Sequence, residues 1–301
     1  MMKLDTILTF TLVAALLLGC SKSEMSRGVG EEMTVSYTVT APATKASLGN
    51  GDAVNHVWYA LYRKSDNSLV KEYPMQPFTA GKAICPVTMV RDQSYKVVFV
   101  AQHYEVDGAV KTPAYAVDPA KAVLAMPVSA VANSDNYDVF CFVDEVDKYQ
   151  GGIQAKGVTL TRKVAQLNYI CTAEDAAAAA TLGMTPSYSR IVLSGVPASY
   201  SILLDRPSDN TVSVDYAKAA LTGDPGLLGT AFFFAGDNLT TTQLQLYRGP
   251  DGAELTTTLD VGNVPVEMNK RTNITGAFMT GTVDYEIAIN TEDIDISHPL
   301  N

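Results

Sequence analysis

Hydrophobic and polar residues alternate most regularly between Met33 and Ala41. Apolar side chains take every odd position of this stretch, and Thr or Ser takes each of the four even positions. Successive side chains of a β-strand point to opposite faces of its sheet, so this period of two predicts a strand with one buried face. Its core-facing side chains include Val35, Tyr37 and Val39.

Further runs rich in β-branched and aromatic residues follow at short intervals. Three of them, "HVWYALYRK", "SYKVVFVAQHY" and "YDVFCFVDEV", are separated by Gly, Pro, Asn and Asp. Short strands joined by such turns are typical of a β-sandwich. The pattern restarts after Gly152 with "GVTLTRKVAQLNYI", so we predict one β domain over residues 33–152 and a second over residues 153–301. The last clear strand is expected from Val283 to Asn290.

One helix interrupts the strands of the second half. Thr172 precedes Asp175 by three residues and opens a run of alanines, which is a capping-box pattern. We therefore predict a short helix from Ala173 to Leu182. The predicted fold class is mainly β, with two β-sandwich domains and this one short helix in the second.

The first residues carry an export signal. The apolar run from Ile7 to Leu18 has twelve residues, whereas a helix that crosses a bilayer needs about 20. The run ends in Leu17-Leu18-Gly19-Cys20, which resembles the lipobox of bacterial lipoproteins. We therefore expect a lipoprotein signal peptide over residues 1–19, lipidation of Cys20 and a flexible tether over residues 20–32; the alternative is an ordinary signal peptide with an incidental cysteine.

The charge of the chain argues against nucleic acid as a partner. Its 22 Lys and Arg face 32 Asp and Glu, for a net charge of −10, and no basic stripe interrupts the acidic surface.

The three cysteines beyond Cys20 are Cys85, Cys141 and Cys171, each in or next to an apolar run. At most one disulfide can join them, and buried thiols are the favoured reading.

Candidate chemistry is sparse. His56, His103 and His298 show no metal-ligand spacing, and we find no nucleophile motif or phosphate-binding loop. We therefore expect no enzyme, no catalytic residue, no metal and no cofactor. The acidic run from Asp144 to Asp147 lacks the pattern of a calcium loop and is expected to be a solvated strand end.

An aromatic sugar-binding platform was a further candidate. Trp58, Tyr59 and Tyr62 fall in one predicted strand, where a period-two pattern favours packing in the core.

Two motifs in the second half carry a resemblance to a known family. They are "VTLTRKVAQLNYICT" and, about a hundred residues later, "GNVPVEMNKRTNITGAFMT". Together they resemble the fimbrillin superfamily of Bacteroidales lipoproteins, the subunits of type V pili. The resemblance implies two transthyretin-like β-sandwich domains. The matching positions are Arg162, Ala165, Gln166, Leu167, Asn168, Val264, Pro265, Asn269, Lys270, Arg271, Thr272, Asn273, Ile274 and Gly276.

The polar residues of these motifs also have a physical interpretation. Asn269 to Asn273 forms a polar segment between two apolar runs, where Arg and Asn side chains can satisfy backbone carbonyls. We therefore assign the segment to the maintenance of the fold. Arg162, among apolar neighbours, is expected to face solvent.

The resemblance implies a function in assembly. In the family's stalk subunits a protease removes the first strand, and the C-terminal strand of another subunit fills the groove. Here the displaced strand would contain Val35, Tyr37 and Val39, with Lys45 as the cleavage site that detaches all of it and Arg27 as an upstream candidate. Ile294 and Ile296 alternate with polar residues and form the candidate donor strand.

The expected protein is therefore a fimbrial subunit that contributes to adhesion. Its location would be the outer membrane and cell surface, held by the lipid on Cys20, and then the fimbrium. Its partners would be other pilin subunits and a host or bacterial surface receptor. Two alternatives remain open: a pilus anchor that keeps its lipid, and a non-polymerising surface lipoprotein that binds glycan.

Overall fold

The computed structural model describes residues 30–41, 49–152, 155–224, 226–281 and 284–290. The predicted signal peptide, Cys20, Arg27, Lys45, Val283, Ile294, Ile296 and His298 lie outside these ranges.

Strands account for most of the described residues. The first twelve are β1 (Glu32–Thr40), β2 (His56–Arg63), β3 (Leu69–Glu72), β4 (Gln76–Pro77), β5 (Lys82–Val90), β6 (Tyr95–Gln102), β7 (Tyr104–Asp107), β8 (Val110–Pro113), β9 (Ala116–Asp118), β10 (Val123–Ala125), β11 (Ser129–Val131) and β12 (Val139–Val146). The next twelve are β13 (Ala155–Thr159), β14 (Thr161–Arg162), β15 (Ala165–Cys171), β16 (Tyr188–Pro197), β17 (Ser199–Ser201), β18 (Arg206–Pro207), β19 (Thr211–Ala220), β20 (Leu227–Phe233), β21 (Asn238–Arg248), β22 (Glu254–Pro265), β23 (Arg271–Gly276) and β24 (Tyr285–Ile289).

The helical segments are few. The described residues contain one α-helix, α1 (Ala173–Leu182), and two short 3₁₀ turns at Asp135–Tyr137 and Pro250–Gly252. The mainly β fold class and the position of the helix are thus confirmed.

Two layers form a sandwich in the first half of the chain. Sheet 1 has the order β13-β1-β5, and sheet 2 has the order β14-β12-β6-β2-β3. Side chains from both sheets, such as Val39, Cys85, Tyr59 and Phe99, meet in one buried core. Burial of these apolar surfaces away from water supplies the main driving force for the packing.

Sheet 2 is also covered on its other face. Trp58, Tyr62, Val98 and Val100 point away from sheet 1 and join a second core. Strands β2 and β6 are therefore buried at nearly every position, which explains why their sequences are continuous apolar runs.

The second core continues into another sandwich. Sheet 4 has the order β11-β19-β16-β21-β22, and sheet 5 has the order β20-β15-β23-β24. The small sheet 3 has the order β18-β17-β10-β9, and its residues Leu124 and Tyr200 belong to the second core. Side chains of sheets 4 and 5 pack together so closely that a Cβ at Gly229 would lie 2.9 Å from the Ile191 side chain. A larger residue at position 229 would require the Ile191 side chain to shift.

Strands from both sides of residue 152 pair with one another. β1 pairs with β13, β12 with β14, β10 with β17, and β11 with β19. The division into domains 33–152 and 153–301 stays a prediction, and these pairings mean that the two segments share sheets across it.

The N-terminus of helix α1 shows half of the predicted capping box. Thr172 Oγ1 accepts a hydrogen bond from the Asp175 backbone N–H at 3.2 Å. The Asp175 carboxylate does not return this bond but accepts from the backbone N–H groups of Met279 and Thr280, at 2.8 and 3.0 Å. Asp175 thereby connects the first turn of the helix to the segment that follows β23. Gly183 ends the helix in a left-handed conformation (φ 66°).

Candidate functional site

Strand β1 is the central strand of sheet 1. All nine of its residues pair with antiparallel β5, and Ser36 to Thr40 also pair with parallel β13. The candidate displaced-strand residues Val35, Tyr37 and Val39 are 2%, 1% and 0% exposed and lie in the core. Burial of three such side chains contributes roughly 5–8 kcal/mol.

Tyr37 also makes the one side-chain hydrogen bond from β1 into the opposite sheet that the structure describes. Its ring packs 5.0 Å from that of Phe99, and its hydroxyl donates to Asp144 Oδ2 at 2.8 Å. Lys156 Nζ, from β13, donates to the other carboxylate oxygen of Asp144 at 2.6 Å. Burial, followed by the Asp144 carboxylate, raises the pKa of the Tyr37 phenol well above its usual range.

The expectation that Asp144 belongs to a solvated charge run is therefore wrong. Asp144 is 7% exposed because its side chain lies between β1 and β13. Its neighbours Glu145 and Asp147 do remain at the surface, where Lys64 Nζ lies 2.7 and 2.9 Å from their carboxylates.

Removal of β1 would uncover a specific thiol. Cys85 lies opposite Tyr37 in the register of β5 and is 0% exposed. Burial raises the pKa of Cys85 to about 12, so little thiolate is present at neutral pH. The thiol is protected while β1 is in place.

The chain is fixed immediately after the undescribed residues that contain Lys45. Gly49 donates its backbone N–H to Asp135 Oδ1 at 2.7 Å, and its carbonyl accepts from an Arg162 Nη2 group at 2.7 Å. A Cβ on Gly49 would lie 2.8 Å from Gln166 Oε1, and its φ is +75°, so this position requires glycine.

Arg162 is buried, so the expectation that it faces solvent is wrong. Its guanidinium binds both carboxylate oxygens of Asp138, at 2.7 and 2.8 Å, and both side chains are 0% exposed. The guanidinium carbon lies 4.7 Å from the centre of the Phe140 ring. A paired and fully hydrogen-bonded arginine is tolerated in a core, whereas an isolated charge is not.

The two sequence motifs meet in adjacent parallel strands. Gln166 lies opposite Arg271, and Asn168 lies opposite Asn273, in the register of β15 and β23. Arg271 Nε donates to Gln166 Oε1 at 2.9 Å, Gln166 Nε2 donates to Asn168 Oδ1 at 3.0 Å, and Asn168 Nδ2 donates to Asn273 Oδ1 at 3.0 Å. Thr230 Oγ1 donates to Asn168 as well, at 3.0 Å.

This buried row of polar side chains fits a role in the fold. In the described bonds, these side chains bind one another, which the sequence did not predict. Thr272 is an exception, since its hydroxyl donates to the Pro265 carbonyl at 2.9 Å. Burial, followed by the nearby Arg162, lowers the pKa of the Arg271 guanidinium.

The sequence did not identify the acidic partners in this cluster. Asp135 begins the short 3₁₀ turn before β12, Asp138 directly follows that turn, and neither residue belongs to a motif. Burial is the main cause that raises the pKa of Asp135 to about 6, and the nearby Asp138 carboxylate adds to it. The hydrogen bond from the Gly49 backbone N–H acts in the opposite direction and lowers this pKa. An arginine within an apolar run signals a buried partner, but nothing in the sequence selects these two among 32 acidic residues.

The remaining candidates lie apart from this cluster. Trp58, Tyr59 and Tyr62 are 5%, 1% and 0% exposed, so their predicted packing in the core is confirmed. His56 and His103 are half-buried beside β6. Cys85, Cys141 and Cys171 are free, buried thiols, as favoured from the sequence.

Neither a metal site nor a membrane-spanning helix occurs among the described residues. No three His, Cys, Asp or Glu side chains there are grouped so as to hold a metal ion. No helix in the same residues is both long and apolar enough to cross a bilayer.

At the C-terminal end, β24 pairs antiparallel with β23 and forms the edge of sheet 5. The candidate donor residues Ile294 and Ile296 follow it, outside the described residues.

Solved structures share the architecture. A protein from Bacteroides uniformis, provisionally described as a cell adhesion protein, is 13% identical with a TM-score of 0.51, over 87% of this chain and 99% of its own. A protein of the same description from Bacteroides ovatus is 11% identical with a TM-score of 0.49, over 87% and 98%. The fimbrial anchor protein Mfa2 from Porphyromonas gingivalis is 14% identical with a TM-score of 0.40, over 87% and 99%.

The likeness to the Bacteroides uniformis protein, whose TM-score exceeds 0.5, concerns the fold alone, and the mainly β fold that the two motifs imply is confirmed. A search of curated proteins finds no match to the chain. A family of unknown function, DUF6562, matches residues 27–295. Because this match spans most of the sequence, the chain belongs to the family DUF6562.

Proposed function

We propose that this protein is a structural subunit of a cell-surface fimbria, exported as a lipoprotein on Cys20 and assembled by strand exchange. It acts by assembly and adhesion and not as an enzyme. The observation that carries the proposal is the position of β1, which begins the described fold and lies between β5 and β13. Its loss would leave unpaired backbone groups on both neighbouring strands and an apolar cleft between them, which favours a replacement strand.

The rest of the sandwich has contacts that do not depend on β1. β14 pairs with β12, and Arg162 holds both Asp138 and the carbonyl of Gly49. Cleavage at Lys45 would therefore detach β1 while Gly49 stays bound to the cluster. The C-terminal segment with Ile294 and Ile296 is the proposed donor.

The test combines protease treatment with a thiol reporter. Purified protein in a Cys20→Ala, Cys141→Ala, Cys171→Ala background is treated with a lysine-specific protease, and Cys85 is labelled with a maleimide under native conditions. We expect labelling and SDS-resistant multimers only after cleavage. The matched controls are Lys45→Ala, which should stay unlabelled and monomeric, and a truncation after Asn290, which should be labelled without forming multimers.

Two results would contradict strand exchange. One is a protein that is cut at Lys45 and labelled at Cys85 but remains monomeric; the other is a truncated form that assembles as well as the full chain. The first would favour the pilus anchor, which keeps its lipid and its first strand, and the second would exclude the segment with Ile294 and Ile296 as the donor. Acyl labelling of the cell-expressed protein, compared with Cys20→Ala, tests the lipid separately, since labelling that survives the substitution refutes the lipoprotein assignment.

A further inference from the structure

A depression of about 470 Å³ lies between the β7–β8 hairpin and the segment from Pro127 to Tyr137. This volume falls within the range of about 300–1,000 Å³ that is typical of ligand pockets. Five polar side chains and one aromatic ring line it: those of His103, Glu105, Thr112, Ser129, Asn136 and Tyr137.

The polar side chains of this depression have unused hydrogen-bonding capacity. His103 Nδ1 donates to the Ala53 carbonyl at 2.9 Å, which leaves Nε2 of the neutral ring as an acceptor. Within the described part of the chain, the side chains of Glu105, Thr112, Ser129 and Asn136 make no hydrogen bond to protein. A ligand that bonds to these groups would not have to break internal bonds first.

Two other depressions on the molecule differ in this respect. In the one beside β12 and β14, Lys163 Nζ lies 2.7 Å from Asp205 Oδ1. In the one beside β1 and β12, Asp144 is bound by both Tyr37 and Lys156. The charged groups of those two depressions are already paired within the fold.

Two hydrogen bonds hold Tyr137, which lines one side of the depression, in place. Tyr137 accepts a hydrogen bond on its hydroxyl from the Val131 backbone N–H at 3.1 Å. Its carbonyl accepts one from the Tyr115 hydroxyl at 2.8 Å. Ordering of these groups before a ligand arrives lowers the entropic cost of binding.

The lining selects against charged ligands. No lysine or arginine lines the depression, and Glu105 gives it a negative charge that disfavours phosphate, sulfate and carboxylate groups. The half-buried Tyr137 ring, with Pro113 and Pro127, adds apolar surface between the polar groups. A ligand that complements this lining carries hydroxyl groups, which donate and accept hydrogen bonds, and apolar C–H surfaces between them.

We propose that this depression binds a neutral oligosaccharide. This depression is distinct from the three aromatic residues Trp58, Tyr59 and Tyr62. Those side chains are buried and therefore inaccessible to ligands. The proposal does not depend on assembly, because every lining residue belongs to the uncut chain.

The test uses the purified, uncut monomer. It is applied to an array of neutral and anionic oligosaccharides, and the strongest neutral binder is then titrated by calorimetry. We expect saturable binding to neutral oligosaccharides. Asn136→Ala and Glu105→Ala should each weaken it about fivefold to tenfold, since each removes hydrogen bonds to the ligand.

Asp209→Ala is the matched control, because this exposed residue lines a different depression, and it should bind as the wild type does. Circular dichroism and the thermal midpoint of each variant establish that it is folded. Three results would overturn the proposal. They are no saturable binding to any neutral oligosaccharide, tighter binding to anionic oligosaccharides than to neutral ones, and wild-type affinity in both Asn136→Ala and Glu105→Ala.

Discussion

Replacing Arg162 with methionine removes the cation from a fully buried ion pair. Both charged side chains are 0% exposed, and the guanidinium also binds the Gly49 carbonyl. The substitution leaves the Asp138 carboxylate buried without its cation. Methionine has a similar length and keeps an apolar contact with Phe140, so the packing changes little.

The expected loss of stability is large. Removal of one partner of a buried ion pair costs about 3–5 kcal/mol, most of it from the uncompensated charge that remains. With a urea m-value of about 2–3 kcal/mol/M, the unfolding midpoint should fall by about 1–2 M. Urea denaturation followed by far-ultraviolet circular dichroism and by the fluorescence of Trp58 measures this shift.

Two variants make the measurement specific. Arg190→Met breaks a pair with Asp215 whose side chains are 36% and 48% exposed, and it should cost less than about 1 kcal/mol. Adding Asp138→Leu to Arg162→Met removes the stranded charge and should recover most of the loss. If Arg162→Met costs no more than Arg190→Met, or if the double substitution is less stable than the single one, the assigned role of the buried pair is wrong.

Three further predictions concern β1, the acidic cluster and the junction near Gly152. Tyr37→Phe should lower the free energy of unfolding by about 1–3 kcal/mol in urea titrations, because Asp144 loses a buried donor; an unchanged midpoint would contradict this. The pKa of Asp135 is about 6 in the folded protein and about 3.9 in unfolded chains, so the folded state binds more protons. The contribution of Asp135 to stability is therefore present below pH 4 and is lost as the pH rises through 6. Asp135→Asn can still accept from Gly49 and should flatten this part of the pH profile by about 1 kcal/mol after allowance for partial exposure, and an unaltered slope would refute the assignment. Limited proteolysis near Gly152 should give two fragments of similar size that co-elute in native buffer and separate in denaturant, because strands from both sides share sheets; native separation would exclude this arrangement.

Local patterns were sufficient for the individual elements. The period of two from Met33 to Ala41 gives β1 its buried and exposed sides, because alternation reflects the pleat of a single strand. Thr172 and the alanines after it were enough to locate helix α1, since an N-cap and a high helix propensity act within a few residues. Both features depend on interactions between near neighbours in sequence.

The pairing of distant residues was decided by the tertiary structure. Arg162 lies in an apolar run, and its burial depends on Asp138 and Gly49, which approach it only when three separate segments pack together. Asp144 was likewise predicted to be solvated, but its side chain is buried. There it accepts a hydrogen bond from the hydroxyl of Tyr37, 107 residues away in sequence.

The two motifs show the same division. The family resemblance marked Gln166 and Asn168 in one segment and Arg271 and Asn273 in another, and the polar pattern from Asn269 to Asn273 indicated a role in the fold for the second segment. Only the parallel register of β15 and β23 places each polar residue opposite its partner. The grouping of polar side chains around Asn136 is also a tertiary property, because a hairpin and a separate turn must meet to bring them together. The reason is physical: backbone periodicity is encoded locally, whereas the neutralisation of buried charge requires a partner whose position depends on the packing of the whole chain.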